Sequence, residues 1–255
     1  MNDPHRATTS APETWDAFFG DFYLRAYGAD MRNDEAEGQA LAAARLARLA
    51  DGADVLDAPC GFGRHSIPLA RAGYRVVGVD RSQTLLDDAR RRSLGERWPK
   101  FVQADYRSLP QPDESFDLAL NLFSSLGYLG DEEDTKALAE LRRVLRPGGR
   151  LLIETMHRDA LVKRWHEQDW RLLGEGRLLL EQRTWDPETG IAQMTQTLVP
   201  GEGQRESRTT SLRVYSATEL LGMLERAGFP DARCYGDLDG NPFGVETRLI
   251  IVATR

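Results

Sequence analysis

Between Val55 and Glu154 the apolar and polar positions follow two alternating patterns. Short apolar runs end in, or just before, an acid or an amide: Val55–Asp57, Arg75–Asp80, Phe101–Ala104, Phe116–Asn121 and Arg150–Glu154. Runs of this length between glycine, proline or polar turns predict buried strands. Between them apolar residues recur at helical spacing. Ser66–Ala72 is one such segment, Ser82 caps a second that runs to about Ser93, and Asp131 opens a third that ends near Val144. Asp34 to Leu49 repeats alanine, leucine and charge at the same period, as an amphipathic helix lying on a sheet does. Strands alternating with helices predict a parallel sheet covered on both faces. Right-handed crossovers leave a ligand crevice at the carboxyl ends of its strands. Asp57, Asp80, Asp105 and Asn121 all fall at or just past such ends.

From Trp170 to Tyr215 the rhythm changes. Leu178–Trp185 alternates partly at period two, Asp186-Pro187-Glu188-Thr189-Gly190 is turn chemistry, and Ile191–Leu198 and Arg208–Tyr215 read as further strands. Ser216-Ala217-Thr218-Glu219 is a capping box for a helix ending near Ala227-Gly228. Asp231–Tyr235 and Leu249–Ala253 then predict an antiparallel pair at one side of the sheet. The expected fold is α/β: a doubly wound, mostly parallel Rossmann-like sheet with antiparallel final strands and an inserted small antiparallel β-sheet. Residues 1–40 form an N-terminal segment and lid, 41–169 with 216–255 the ligand-binding domain, and 170–215 the inserted cap. Residues 1–12 are polar with two prolines, a mobile leader. Trp15 to Tyr27 is rich in aromatics at helical spacing, which suits a packing face or a lid over the ligand.

Composition narrows the class. Hydrophobic residues make up 41% of 255 residues, enough for one large core with an insert. A formal net charge of −7 disfavours non-specific binding to nucleic acid or anionic membrane. No apolar run approaches the roughly 20 residues of a membrane span, and no basic-then-apolar stretch opens the chain. The two cysteines, Cys60 and Cys234, form no metal spacing, nor do the four histidines, so no metal is expected. The chain reads as cytoplasmic, in a reducing cytosol.

The loop after the first strand carries the chemistry. In Asp57-Ala58-Pro59-Cys60-Gly61-Phe62-Gly63 the two glycines allow sharp turns and close approach of a ligand. A dinucleotide fingerprint needs a third glycine where Ser66 stands, and Asp57 would repel a pyrophosphate. No Gly-Lys-Ser/Thr follows, which excludes a P-loop. An acid in the loop suits a ligand with a positive amino group. Asp80, ending the next strand, suits a pair of ribose hydroxyls. Together they describe a nucleoside carrying an amino acid, S-adenosyl-L-methionine.

Asp57 to Gly63 followed by Gly78-Val79-Asp80 resembles motifs I and II of the class I S-adenosylmethionine-dependent methyltransferases. Gln103–Tyr106, Phe116–Asn121 and Leu145–Ile153 resemble three further pieces of that family in the right order. The likeness runs from about Leu41 to Glu154 and returns more weakly from Val214. Pro59 departs from the glycine of many members and removes one N–H donor. The resemblance implies that Asp57, Ala58, Pro59, Cys60, Gly61 and Gly63 border the methionine part of the cofactor. It places Asp80 at the ribose and Asp105 and Tyr106 at the adenine, and adds Arg81, Asn121 and Phe123 to the cofactor-binding residues. The segment Asn121–Tyr128 resembles that of small-molecule N-methyltransferases, especially those acting on amino sugars, which also carry an inserted sheet.

The implied activity is methyl transfer to a nitrogen or oxygen of a small-molecule acceptor. Methylation of RNA or protein, and a binding module without chemistry, are the alternatives. His157, three residues past the fifth strand, is a candidate base or acceptor contact, or else a histidine bonded to backbone at a helix start. Tyr23 and Tyr27 are lid candidates, with Tyr23 the second candidate catalytic residue. His65 suits a structural or loop role. Arg90-Arg91-Arg92, with Arg97 and Lys100, suits a solvated helix end complementing the helix dipole rather than an RNA face. A homodimer through the insert has no specific sequence feature behind it.

Overall fold

The computed structural model describes residues 12–28, 34–201 and 203–255. Apart from Pro12, the predicted leader lies outside the described residues. Strands β1 (Asp54–Asp57), β2 (Arg75–Asp80), β3 (Lys100–Gln103), β4 (Phe116–Asn121) and β5 (Leu145–Thr155) follow in turn. Next come β6 (Gln168–Leu172), β7 (Leu178–Asp186), β8 (Ile191–Val199) and β9 (Glu206–Arg213). The last two are β10 (Asp231–Tyr235) and β11 (Leu249–Thr254). A seven-stranded sheet has the order β10-β11-β5-β4-β1-β2-β3, with β6-β7-β8-β9 as a separate four-stranded sheet. Strands β1 to β5 pair in parallel, β10 and β11 antiparallel, and the small sheet is antiparallel throughout.

The main sheet is buried on both faces because its strands carry apolar residues at both parities. Val55 packs with Ala40, Ala43 and Leu69 from helices α3 (Asp34–Leu46) and α4 (Ser66–Arg71). Its neighbour Leu56 packs with Leu138 and Leu141 of α6 (Asp131–Val144) and Leu220 and Leu224 of α8 (Ala217–Arg226). Each buried leucine contributes about 1.5–3 kcal/mol of apolar burial. Ser82 accepts from Leu85 N–H and starts α5 (Gln83–Arg92). The predicted capping box of Ser216 and Glu219 is present at α8.

Several local features differ from the expectation. The aromatic segment forms two short helices, α1 (Pro12–Phe18) and α2 (Asp21–Tyr27), interrupted at Phe19-Gly20. Strand β5 begins at Leu145 rather than Arg150, with a bulge in its pairing to β4, and β9 is shifted two residues towards the N-terminus. Helix α7 (Arg158–Lys163) follows His157, where a helix start was one of the two readings, and strand β6 was not legible. Strand β6 is mostly exposed, with Trp170 and Leu172 open to solvent, so no buried face imposed an apolar alternation. Helices α1 and α2 pack on the inserted sheet: Phe18, Phe22 and Ala26 share a core with Leu173, Leu179 and Leu198.

The arginine run is engaged within the protein. Arg90 bonds Asp87 at 2.9 Å, Arg91 bonds Asp88 at 3.0 Å, and Arg92 bonds the Phe62 carbonyl at 2.8 Å. No helix among the described residues is long and apolar enough to cross a membrane.

Candidate active site

The loop after β1 is tied to the tip of β2 by one carboxylate. Gly61 N–H donates to Asp80 Oδ2 and Ser82 N–H to Asp80 Oδ1, both at 2.8 Å. Gly61 and Gly63 lie at φ +54 and +73, where a side chain is strained. Gly63 has a packing reason as well, since a Cβ there would lie 2.8 Å from Phe101 Cζ. Asp80 is buried, and burial raises its pKa, opposed by those backbone N–H bonds.

One cavity of about 430 Å³ opens beside this loop. Pro59, Cys60 and Gly61 form its floor, and Asp80, Arg81, Asp105 and Tyr106 one wall. It continues past Tyr23, Phe123 and Tyr128 to Arg171, Glu181, Met194 and Leu212 of the inserted sheet. The N-terminal helices and the loops of the main sheet meet across it. Arg81 lies 3.1 Å from Asp16 of α1, Phe19 stacks edge-on against Tyr128 with centroids 5.1 Å apart, and Tyr23 sits 6.2 Å from Phe62.

Of the predicted cofactor residues, Pro59, Cys60, Gly61, Asp80, Arg81, Asp105, Tyr106 and Phe123 line the cavity. Asp57, Ala58, Gly63 and Asn121 do not; they lie behind its wall and support it. Asn121 Nδ2 donates to the Ala58 carbonyl at 3.0 Å, pinning β4 to the loop. Asp57 accepts from Ser66 Oγ at 2.5 Å and is 1% exposed, so the loop separates it from the cavity. Asp105 carries an additional partner: Arg107 grips it through Nε and Nη2, the latter at 2.6 Å. Burial alone would raise the Asp105 pKa, but the Arg107 fork holds it below the usual carboxylate range.

The two candidate catalytic residues separate. Tyr23 lines the cavity, and burial raises its pKa well above the ordinary phenol value, so it remains protonated at neutral pH. His157 is fully buried and off the cavity wall, as in the backbone-bonded alternative. Its Nε2 lies 3.1 Å from the Thr247 carbonyl and its ring packs against Phe243. The ring therefore points to the segment between β10 and β11, not into the crevice. His65 does reach the cavity, but burial lowers its pKa to about 3, leaving it neutral. Arg64, Arg171, Glu181 and Met194 line the cavity and were not foreseen. Nothing in their local sequence marks them, because three of the four come from the insert, whose placement over the crevice is a tertiary fact.

The burial of Asp57 has a measurable consequence. Burial raises its pKa to about 7, the Ser66 hydroxyl opposes this, and the neighbouring Asp80 charge adds to it. A folded pKa above the unfolded value of about 3.9 means the folded state holds the extra proton between those values. That stability is present below about pH 4 and is lost as pH rises through 7. A cation bound nearby favours the ionised form and therefore expels the proton. Calorimetric titration of S-adenosylmethionine at pH 6 is expected to give apparent enthalpies that differ between phosphate and imidazole buffers, by an amount corresponding to proton release. Asp57→Asn is expected to shrink that difference. Buffer-independent heats in the wild type would refute the coupling.

The residues fit the implied cofactor. Each Asp80 oxygen accepts one backbone N–H and retains acceptor capacity for a hydroxyl. Tyr106 Oη on the cavity wall is buried without a hydrogen-bond partner among the described residues, as is Asn121 Oδ1 just behind it. Leu85, Val79 and Ala104 supply apolar wall for a base. The fold is that of S-adenosylmethionine-dependent methyltransferases, and the site has room and polar groups for S-adenosylmethionine, the cofactor that the sequence resemblance implies.

Comparison with known proteins agrees. Residues 55–149 match the family described as "Methyltransferase domain". The chain is 43% identical over 102 residues to a demethylmenaquinone methyltransferase of Clavibacter sepedonicus, covering 40% of each protein, so it spans about two-fifths of that relative's length. Among solved structures it is similar to the CcbJ methyltransferase from Streptomyces caelestis, with a TM-score of 0.76 and 22% identity over 87% of this chain and 89% of that one. It is also similar to CalS10 with S-adenosylmethionine bound, an amino pentose methyltransferase from Micromonospora echinaspora. There the TM-score is 0.68 and the identity 23%, over 98% of this chain and 100% of that one.

Proposed function

We propose that this protein transfers a methyl group from S-adenosylmethionine to a nitrogen of a small-molecule acceptor, with oxygen the less favoured atom. The observation that carries this reading is the single cavity joining the Asp80 end to the inserted sheet. Its volume of about 430 Å³ falls in the range of small-molecule pockets. Likeness over nearly the whole length, insert included, to an amino pentose methyltransferase supports the same class of acceptor.

When bound, the cofactor supplies a methyl carbon already activated by a sulfonium charge. The protein's task is to hold the acceptor in line with that carbon. Tyr23 and Tyr128 are raised above the ordinary phenol pKa by burial, and Tyr27 is raised to about 12. These phenols stay protonated at neutral pH, where they orient the acceptor by hydrogen bonds and ring faces. Glu181 is already engaged by Arg183 and Gln196. A neutral amine is consistent with such a wall: its lone pair forms the new bond, the C–S electrons return to sulfur, and the nitrogen's proton leaves to water. An alcohol would need a base.

Incubation with methyl-tritiated cofactor and a fractionated cell extract tests the reading. Label is expected in a small, amine-containing product. Label confined to RNA or protein would overturn it, as would none at all in protein that binds the cofactor.

A further inference from the structure

The inserted sheet presents β6 to β9 edge by edge, and alternate residues of each strand face the lid and cavity. On that face the guanidinium groups are matched with carboxylates, with one exception. Arg183 of β7 bonds Glu181 and lies 3.5 Å from Asp169. Arg208 of β9 lies 2.5 Å from Glu206, which also holds Arg25 of α2. Arg171 of β6 has no carboxylate in ion-pair range and no hydrogen-bond acceptor among the described residues. Its Nε is buried and unpartnered. What holds it is a ring: its guanidinium carbon sits 4.4 Å from the centroid of Tyr27.

A guanidinium carries five donors and cannot shed its charge. Leaving them half-buried without an acceptor is costly, and the cost is removed when a ligand brings the acceptor. The planar fork matches the two oxygens of a carboxylate or phosphate. The other charges on the cavity wall are largely accounted for. Asp16 is paired with Arg81, Asp105 with Arg107, Glu181 with Arg183 and Arg248 with Glu154. Asp80 belongs to the cofactor loop. Arg64, the other cavity guanidinium without a carboxylate, also has a buried Nε without a partner, but its Nη2 bonds Gln39 at 2.9 Å beside the glycine loop. A guanidinium without a carboxylate partner thus stands at the insert end.

We propose that Arg171 anchors an anionic group of the acceptor, a phosphate or a carboxylate, at the end of the cavity remote from the glycine loop. The rings of Tyr27 and Tyr23, 4.9 Å apart, then form the wall along which the acceptor reaches the cofactor end. The proposal rests on the methyl-transfer reading and adds the chemistry by which the acceptor is selected.

The test titrates inorganic pyrophosphate, and in a second arm citrate, into protein saturated with the demethylated cofactor product, followed by calorimetry. Saturable binding of at least one anion is expected in the wild type. Pyrophosphate alone would point to a phosphate on the acceptor, citrate alone to a carboxylate. Arg171→Gln is expected to weaken that binding about tenfold or more, and Arg171→Lys, which keeps the charge without the fork, by less. Affinity for the demethylated cofactor should be the same in all three proteins, which also reports that the variants are folded. Absence of binding by both anions overturns the proposal, as does equal binding by Arg171→Gln, and either result leaves the methyl-transfer reading standing. Failure of the wild type to bind the demethylated cofactor overturns that reading and the proposal with it.

Discussion

Replacing Asp80 by Ala is expected to lower the affinity for S-adenosylmethionine by about 1.5–3 kcal/mol, roughly ten- to a hundredfold. Two losses combine. In the role the sequence resemblance implies for Asp80, the ribose hydroxyls lose a charged acceptor, and the Gly61 and Ser82 N–H groups lose the oxygens that hold them at 2.8 Å. The second loss loosens the loop that floors the cavity, so Asp80→Asn does not fully rescue. An amide presents one oxygen and one NH2, and the NH2 must face one of two N–H donors. Calorimetric titration of wild type and both variants, with a thermal melt of each as control, measures the effect. Unchanged affinity in Asp80→Ala would remove Asp80 from the cofactor site.

Gly127→Val should be the most damaging single change outside the main core. Gly127 has φ +111, and a Cβ there would stand 2.2 Å from the Arg213 carbonyl oxygen and 2.8 Å from Leu212 Cδ1. Its own carbonyl accepts from Arg213 N–H at 2.8 Å. This contact joins the loop after β4, which places Tyr128 and Leu129 on the cavity wall, to the last strand of the insert. Backbone cannot yield as a flexible side chain does, so the expected cost is about 3 kcal/mol or more. For a chain of this size that is a fall in melting temperature of about 6–12 °C. Gly148→Ala provides the comparison. Gly148 also has positive φ, at +78, but its Cβ would meet nothing within 4 Å, leaving only about 1–2 kcal/mol of conformational strain. Equal melting of the two variants would show that the Arg213 contact does not constrain Gly127.

Strands β1, β2 and β4 were legible because they are buried on both faces, and burial leaves an unbroken apolar run in the sequence. The Ser216 box and the Ser82 cap were legible because a cap is made by residues three apart. Strand β6 was not, since an exposed edge strand needs no apolar residues; its partner β7 holds it by backbone hydrogen bonds. The aromatic segment was read as a packing face or a lid. It packs on the insert through Phe18 and Phe22, and the same pair of helices sets Tyr23 on the cavity wall.

The site divides in the same way. Asp57 and Asp80 end adjacent strands and look equivalent in sequence. The loop between β1 and α4 folds over the first and leaves the second open, so one became a buried support and the other a wall residue. His157 was placed past the correct strand, yet its ring turned towards Thr247 and away from the cavity.

Alone, the sequence determined the alternation of strands and helices, the glycine turn and the acids at the strand tips. Each depends on a handful of consecutive residues and on the energy of hiding apolar side chains. Only the tertiary structure decided which tips face a ligand, and only it brought Tyr27 from the N-terminal helices against Arg171 of the insert. Those outcomes follow from how separate layers pack, a balance of shape and charge between segments far apart in the chain.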